Sequence, residues 1–164
     1  MTDVYHLHRA LLVLVVALAL GWALPAPATG VTPDGRGEVQ RTTTASYVTG
    51  TVAHTNRRRV AHERRQVRVH RCLTRMARKQ ARRMAAQERM FHQEMGAVLR
   101  RCDLSRVGEN VAYGYPTGKS VVKAWMHSPG HRRNILDGRF RLIGVGAARS
   151  DDGVWYAAQV FGRG

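Results

Sequence analysis

The stretch Leu142–Phe161, LIGVGAARSDDGVWYAAQVF, decides the fold class of this 164-residue chain. Its two ends, residues 142–148 and 154–161, are apolar and rich in valine, small residues and aromatic residues. Asp151-Asp152-Gly153 lies between them, and two such runs around a glycine-containing turn predict an antiparallel β-hairpin. The sequence therefore places strands at its C-terminal end.

The first half of the domain predicts helices instead. Residues 72–87 carry pairs of apolar residues at four-residue steps with arginines opposite, which is typical of an amphipathic helix. Three further helices are predicted, over residues 52–64, 93–101 and 119–126. Thr117 or Ser120 would cap the last of them. Helices followed by a terminal sheet indicate an α+β domain.

The N-terminal 50 residues are predicted to lie outside this domain. The apolar residues 10–23 are followed by Ala26-Pro27-Ala28, which is typical of a secretory signal, residues 1–28, cleaved after Ala28. An uncleaved anchor helix is the alternative, but this run is shorter than the roughly 20 residues that span a bilayer. Residues 29–50 lack hydrophobic periodicity and predict a flexible linker, so we expect a secreted protein with its domain over residues 51–164.

The chain has only two cysteines, Cys72 and Cys102. Because an exported chain meets an oxidising environment, we expect these two residues to form a disulfide; two buried free thiols are the alternative. The bridge would close a loop of about 30 residues, which stabilises a fold by about 3–4 kcal/mol in the chain-entropy model.

The formal net charge is +16, and 16 of the Lys and Arg residues fall between Arg57 and Arg106, against four acids there. Such a field attracts anionic wall polymer, anionic lipid or nucleic acid. No aromatic residue interleaves with the basic residues before Phe91, which argues against stacking on bases. A solvated basic face is the alternative interpretation.

Three side chains are the candidates for chemistry: His92, Glu109 and His131. Each is predicted at a helix end or in a loop, where functional side chains are usually presented. Two imidazoles and one carboxylate suit a polar cleft, or a zinc site with one open position. The chain contains no complete HExxH motif, because His62-Glu63 is followed by Gln66 where the second histidine would stand.

The residues around these candidates predict support for the site. Asn110 and Asn134 are expected to bond to backbone and hold the segments around Glu109 and His131 in place. Ser128-Pro129-Gly130 is predicted to end the preceding helix and to form a tight turn before His131.

At these positions the sequence resembles a known family. Residues 108–112 (GENVA), 125–136 (WMHSPGHRRNIL) and 143–146 (IGVG) are similar to motifs of the bacterial SCP-like branch of the CAP superfamily. That superfamily comprises cysteine-rich secretory proteins, antigen 5 and pathogenesis-related 1 proteins. The resemblance covers about residues 51–162, and Asn56-x-x-Arg59 resembles the opening helix. It implies a secreted α–β–α sandwich with a cleft of two histidines and acidic residues, which binds a divalent metal, often zinc, in several members.

Carried over residue by residue, His92 and His131 match the two cleft histidines and Glu109 matches the first acid. The resemblance thus implies these three residues as metal ligands. Eukaryotic members add a second glutamate, but this chain has no acid between Glu109 and Asp137, and His127 is the candidate substitute. One carboxylate would then have to be either ligand or general base, which favours binding over hydrolysis.

We therefore predict a secreted, monomeric binding module in preference to an enzyme. Its cleft would be formed by His92, Glu109, His131, Asn110 and Asn134, and its ligand would be a lipid or a cell-wall component. One alternative is a metal-dependent hydrolase of peptide or wall material with Glu109 as the catalytic residue. The other is an adhesin whose basic helices bind anionic wall polymer, lipid or nucleic acid.

Overall fold

The computed structural model describes residues 42–164, so the predicted signal sequence and most of the predicted linker lie outside the described residues. The described helices and strands are, in chain order, α1 (Thr44–Val60), β1 (Arg68–Val69), α2 (Arg71–Ala86), α3 (Met95–Arg101), β2 (Arg106–Tyr113), α4 (Gly118–His127), α5 (Pro129–Leu136), β3 (Leu142–Arg149) and β4 (Trp155–Arg163). None of these helices has the length and apolarity that crossing a membrane requires.

The four described strands form one sheet in the order β1-β3-β4-β2. Strands β3 and β4 are the predicted antiparallel hairpin, and Gly153 in their turn adopts a φ of 84°. Strand β1 pairs parallel to β3, and β2 pairs antiparallel to β4. Strand β2 therefore lies at one edge of the sheet.

Two hydrophobic cores lie on opposite faces of the sheet. One contains Tyr47 and Trp125, from α1 and α4, packed against inward-facing residues of β3 and β4. The other contains Leu73 and Met84 of α2 and Val98 of α3. The domain is an α–β–α sandwich, which confirms the predicted fold class.

Helix α2 lies flush against β3 because two glycines leave room for its backbone. A Cβ atom at Gly144 would lie 2.1 Å from the carbonyl carbon of Leu73, and one at Gly146 would lie 2.4 Å from the carbonyl carbon of Ala77. Real Cβ atoms do not approach backbone this closely, so any side chain at either position would push the helix off the sheet.

The structure corrects the predicted start of the domain. Helix α1 begins at Thr44, so the linker prediction is wrong for residues 44–50. Thr43 and Ser46 form a capping box in which the Ser46 amide donates to the Thr43 hydroxyl at 3.1 Å. Tyr47 is buried, with its ring centroid 4.9 Å from that of Trp155. A threonine-rich run thus caps a helix and supplies a core residue.

Arg59 ties α1 to the end of α5. Its fully buried guanidinium donates to four carbonyl oxygens: that of Arg65 at 2.8 Å, and those of Ile135, Asp137 and Phe140 at 2.6, 3.0 and 3.2 Å. Carbonyls at the C-terminal end of a helix carry the negative end of its dipole, which stabilises a cation there. The contact fixes α5, the helix that carries one of the candidate histidines.

The predicted disulfide is confirmed. Cys72 and Cys102 are bonded, with their Cα atoms 5.6 Å apart, and they join the start of α2 to the end of α3. The closed loop contains His92, so the bridge constrains the segment that presents this histidine.

Candidate functional site

The three candidate residues lie on three elements that meet at the open edge of β2. His92 lies in the loop between α2 and α3, as predicted, whereas Glu109 lies within β2, so the prediction that it lies at a helix end or in a loop is wrong. The prediction of a tight turn before His131 is wrong, because a new helix, α5, begins at Pro129 and carries His131 in its first turn. Proline suits that position, since its missing N–H would have no partner in the helix.

Side chains alternate between the two faces of β2, and this alternation divides the site. Glu109 faces the layer of α2 and α3, where it contacts His92. The next residue, Asn110, faces the opposite layer, where it contacts Asn134. The two histidines therefore reach the site from opposite sides of the sheet, around its edge strand.

Both oxygens of the Glu109 carboxylate accept hydrogen bonds. His92 Nδ1 lies 2.8 Å from Oε2, the Gln93 amide donates to Oε2 at 3.2 Å, and Gln93 Nε2 donates to Oε1 at 2.6 Å. The Glu109 side chain is 1% exposed, against 58% for His92. Because an ionised carboxylate only accepts, Nδ1 of His92 carries the proton and Nε2 is left as the free nitrogen.

The two asparagines make the backbone contacts expected of them. Asn134 Nδ2 donates to the Glu109 carbonyl oxygen at 2.9 Å, and Asn110 Nδ2 donates to the His131 carbonyl oxygen at 3.2 Å. Asn134 Nδ2 also donates to Asn110 Oδ1 at 2.9 Å. The two amides thus fix β2 and α5 relative to each other beneath the site.

This network continues through residues that sequence reasoning missed. Asn110 Nδ2 donates to Gln159 Oε1 at 2.9 Å, and Gln159 Nε2 donates to Thr55 Oγ1 at 2.7 Å. All three side chains are fully buried, so a chain of hydrogen bonds crosses the core from α1 to the site. A signal was available, because Gln159 interrupts the otherwise apolar run of residues 154–161.

A cleft of about 220 Å³ opens along the outer side of β2. It is lined by Met90, Val111, Ala112, Tyr113, Tyr115, Ala124, Trp125, Ser128 and His131. Three of these residues are large apolar or aromatic side chains that are at least one-third exposed: Met90, Tyr113 and Tyr115. The cleft is therefore mainly apolar and aromatic, with one imidazole in its wall.

His131 is the one imidazole in the lining of this cleft. Burial lowers the pKa of His131, and electrostatic repulsion by the nearby His92 lowers it further. Its ring centroid lies 6.5 Å from that of Trp125, which lines the same cleft. A lowered pKa keeps the imidazole neutral at neutral pH, so it is able to bond a polar ligand or a metal ion.

The predicted three-ligand metal set does not assemble. Within residues 42–164, no group of three or more His, Cys, Asp and Glu side chains is arranged to hold a metal ion. The carboxylate of Glu109 accepts hydrogen bonds instead, so His92 and His131 remain as a two-imidazole set. His127, the candidate substitute for the missing acid, is exposed, and its Nδ1 donates to the Lys123 carbonyl oxygen at 2.7 Å.

Comparison with known proteins agrees with the motifs and the fold. The model of the cysteine-rich secretory protein (CAP) family matches residues 52–161. The chain belongs to this family. The CAP domain is 54% identical over 48 residues to YkwD, an uncharacterized protein of Bacillus subtilis. The aligned residues make up 29% of this chain and 18% of that protein.

Two bacterial structures share the fold. An extracellular protein containing an SCP domain from Bacillus anthracis has a TM-score of 0.65 and 23% identity, over 74% of this chain and 41% of that one. A cysteine-rich secretory protein from Staphylococcus aureus has a TM-score of 0.65 and 17% identity, over 74% and 40% respectively. The chain spans less than half of each of these proteins, and the likeness concerns the fold.

Proposed function

We propose that this CAP domain is an exported binding module that holds the apolar part of an amphipathic ligand in the cleft beside His131. The observation that carries the proposal is the lining of the cleft: Tyr113, Tyr115 and Trp125 surround a small apolar space that contains one neutral imidazole. Binding sites for small molecules typically combine apolar and aromatic walls with a few placed polar groups. His131 would bond the polar head of the ligand.

The state of Glu109 supports binding over hydrolysis. A general base must come within about 2.6–3.2 Å of the proton it removes. The Glu109 carboxylate is 1% exposed and already accepts three hydrogen bonds, so it is not presented to a substrate. The hydrolase alternative has no second acid in this part of the chain to take the role, since no Asp or Glu occurs between Glu109 and Asp137.

The two imidazoles support a role for a divalent metal as an accessory to binding. His92 would offer Nε2, and Glu109 would orient it through Nδ1, an arrangement common behind zinc-binding histidines. His131, kept neutral by burial, would be the second ligand. A bound zinc ion would act as a Lewis acid that anchors an anionic head group.

Export is part of the proposal and is supported by the disulfide. The Cys72–Cys102 bridge persists in an oxidising compartment. The predicted signal sequence supplies the route, and we propose that the secreted chain is a monomer.

Binding of dodecanoate to the secreted chain tests the cleft by calorimetry. The double variant Tyr113→Ala with Tyr115→Ala should weaken binding about tenfold or more, because it removes two apolar contact surfaces for the alkyl chain, worth about 1 kcal/mol each at about 25 cal/mol per Å² of buried apolar surface. Val69→Ala is the matched control, since Val69 is 62% exposed but lies outside the cleft. Equal affinity of the double variant and the wild type for dodecanoate would show that the cleft is not the binding site.

A zinc titration tests the imidazole pair separately. His92→Ala and His131→Ala should each abolish stoichiometric binding, and His127→Ala should leave it unchanged. Glu109→Gln should weaken it about 10–100-fold through loss of orientation. Zinc binding that survives His92→Ala together with His131→Ala would reject the metal role and leave the apolar cleft untouched.

A further inference from the structure

The exposed face of α2 is almost entirely basic. Of its seven exposed residues, six are cationic and the seventh is Ala86; the six are Arg71, Arg75, Arg78, Lys79, Arg82 and Arg83. Within residues 42–164 no ion pair joins any of them to an acidic side chain. The charge of this face is therefore not neutralised by the described part of the domain.

These cations border a concave surface, the α2 groove, which runs between α2 and the end of α3. It encloses about 560 Å³ and is lined by five arginines and Lys79, above a floor that contains Met76 and Ala86. The arginine of the opposite wall is Arg101, the last residue of α3. No acidic or aromatic side chain lines the groove.

The spacing of the charges opposes helix stability. Four pairs of cations lie four residues apart on α2: 71 with 75, 75 with 79, 78 with 82, and 79 with 83. Like charges at this spacing face each other on the helix surface and destabilise it. A solvated face selected for stability alone would alternate the two signs. The pattern is therefore better explained by an anionic ligand than by the fold.

We propose that the α2 groove binds a flexible polyanion made of phosphate groups without bases, such as a poly(glycerol phosphate) chain. One guanidinium group can donate two parallel hydrogen bonds to one phosphate group. Five arginines line this groove. This site is separate from the cleft at β2 and does not rest on the function proposed for that cleft.

The shape and lining of the groove select this class of partner over two others. A single-stranded nucleic acid would require aromatic side chains on which its bases stack, and none lines the groove. A bilayer is a broad surface that takes up exposed apolar side chains. None of the exposed large apolar residues among residues 42–164 lines the groove; these are Val60, Val69, Met90, Tyr113 and Tyr115. A thin, flexible chain of phosphates fits a concave strip of cations.

The test is binding of poly(glycerol phosphate) to the secreted chain over a range of salt concentrations. The groove variant carries Arg75→Gln, Arg78→Gln and Arg82→Gln. The matched control carries Arg58→Gln, Lys119→Gln and Lys123→Gln, three exposed cations of α1 and α4. Both variants lose three positive charges. A difference in their affinities therefore reports binding at the groove, and not the effect of the net charge of the protein.

The groove variant should bind at least tenfold more weakly at low salt. Its slope of log affinity against log salt should fall by about 2, because each lost phosphate contact on a flexible strand accounts for about 0.7. The control should keep the wild-type slope. Equal losses in the two variants, no binding by the wild type, or tighter groove-dependent binding of single-stranded DNA or anionic vesicles would overturn the proposal. A thermal midpoint of the groove variant at or above that of the wild type shows that it is folded.

Discussion

The cleft beside β2 and the α2 groove differ in how their polar groups are held. In the cleft region, His92 is held by a buried acid, and the neighbouring elements are fixed by amides that bond across the core. In the groove, six cations project from two helix surfaces, and no described acid pairs with them. If the two proposals hold, the first region would recognise a ligand through the fixed position of its polar groups, which depends on the core, whereas the second would recognise a ligand through charge alone.

The largest effect is expected from the disulfide, because the bridge supports both regions. Cys72→Ser with Cys102→Ser should lower the free energy of unfolding by about 3–4 kcal/mol, since it frees a loop of about 30 residues in the unfolded chain. Chemical denaturation measures the change. Wild-type protein under reducing conditions is the control and should match the variant; a loss below about 1 kcal/mol would show that the packing of α2 and α3 suffices without the bridge.

Removing the buried acid should cost nearly as much stability, through contacts that lie near the cleft and not near the groove. Glu109→Ala leaves three donors of His92 and Gln93 without an acceptor, so we expect a loss of about 2–4 kcal/mol in denaturant unfolding. Asp151→Ala, at an exposed loop acid, is the control and should change stability by less than about 0.5 kcal/mol. Similar values for the two variants would mean that the Glu109 network contributes no stability.

The groove should respond in the opposite direction. Arg75→Gln, Arg78→Gln and Arg82→Gln together relieve three of the like-charge pairs on α2, so stability should rise by about 0.5–1.5 kcal/mol at low salt. The gain should shrink as salt screens the repulsion. A clear loss of stability would show that these arginines support the fold, and the contrast between the two regions would fail.

The smallest effect concerns the pKa of His131. Burial and electrostatic repulsion by His92 lower it below the ordinary value of 6.5, so the unfolded chain takes up this proton more readily than the folded one. The stability that neutral His131 contributes is thus present above pH 6.5 and is lost as the pH falls through the folded pKa. A proton NMR titration should place the His131 midpoint below 6.5, and His92→Ala should raise it; a midpoint at or above 6.5 would contradict the described burial.

The elements with strong periodicity could be predicted from the sequence, and those that depend on tertiary contacts could not. Helix α2 and the β3–β4 hairpin follow from spacing alone, and their predicted bounds agree with the structure to within a few residues. The start of α1 was missed because a threonine cap and a linker have the same composition. Helix α5 was missed because Ser128-Pro129-Gly130 is compatible both with a turn and with a new helix.

The sequence located the candidate residues but not the contacts that they make. The motifs located His92, Glu109 and His131, yet the sequence does not show that Glu109 faces one side of β2 and Asn110 the other. The register of β2 against β4 decides this, and it also brings Asn110 to Gln159. Thr55 and Gln159 could not be distinguished from exposed polar residues until the packing was known.

The most direct test of the account is the tautomer of His92, because the central claim is that Glu109 orients this imidazole instead of binding a metal ion or acting as a base. Nitrogen-15 NMR of the secreted chain at pH 8 should show a proton on Nδ1 of His92 and none on Nε2. In Glu109→Ala this preference should be lost. A proton on Nε2 in the wild type, or an unchanged tautomer in Glu109→Ala, would contradict the account.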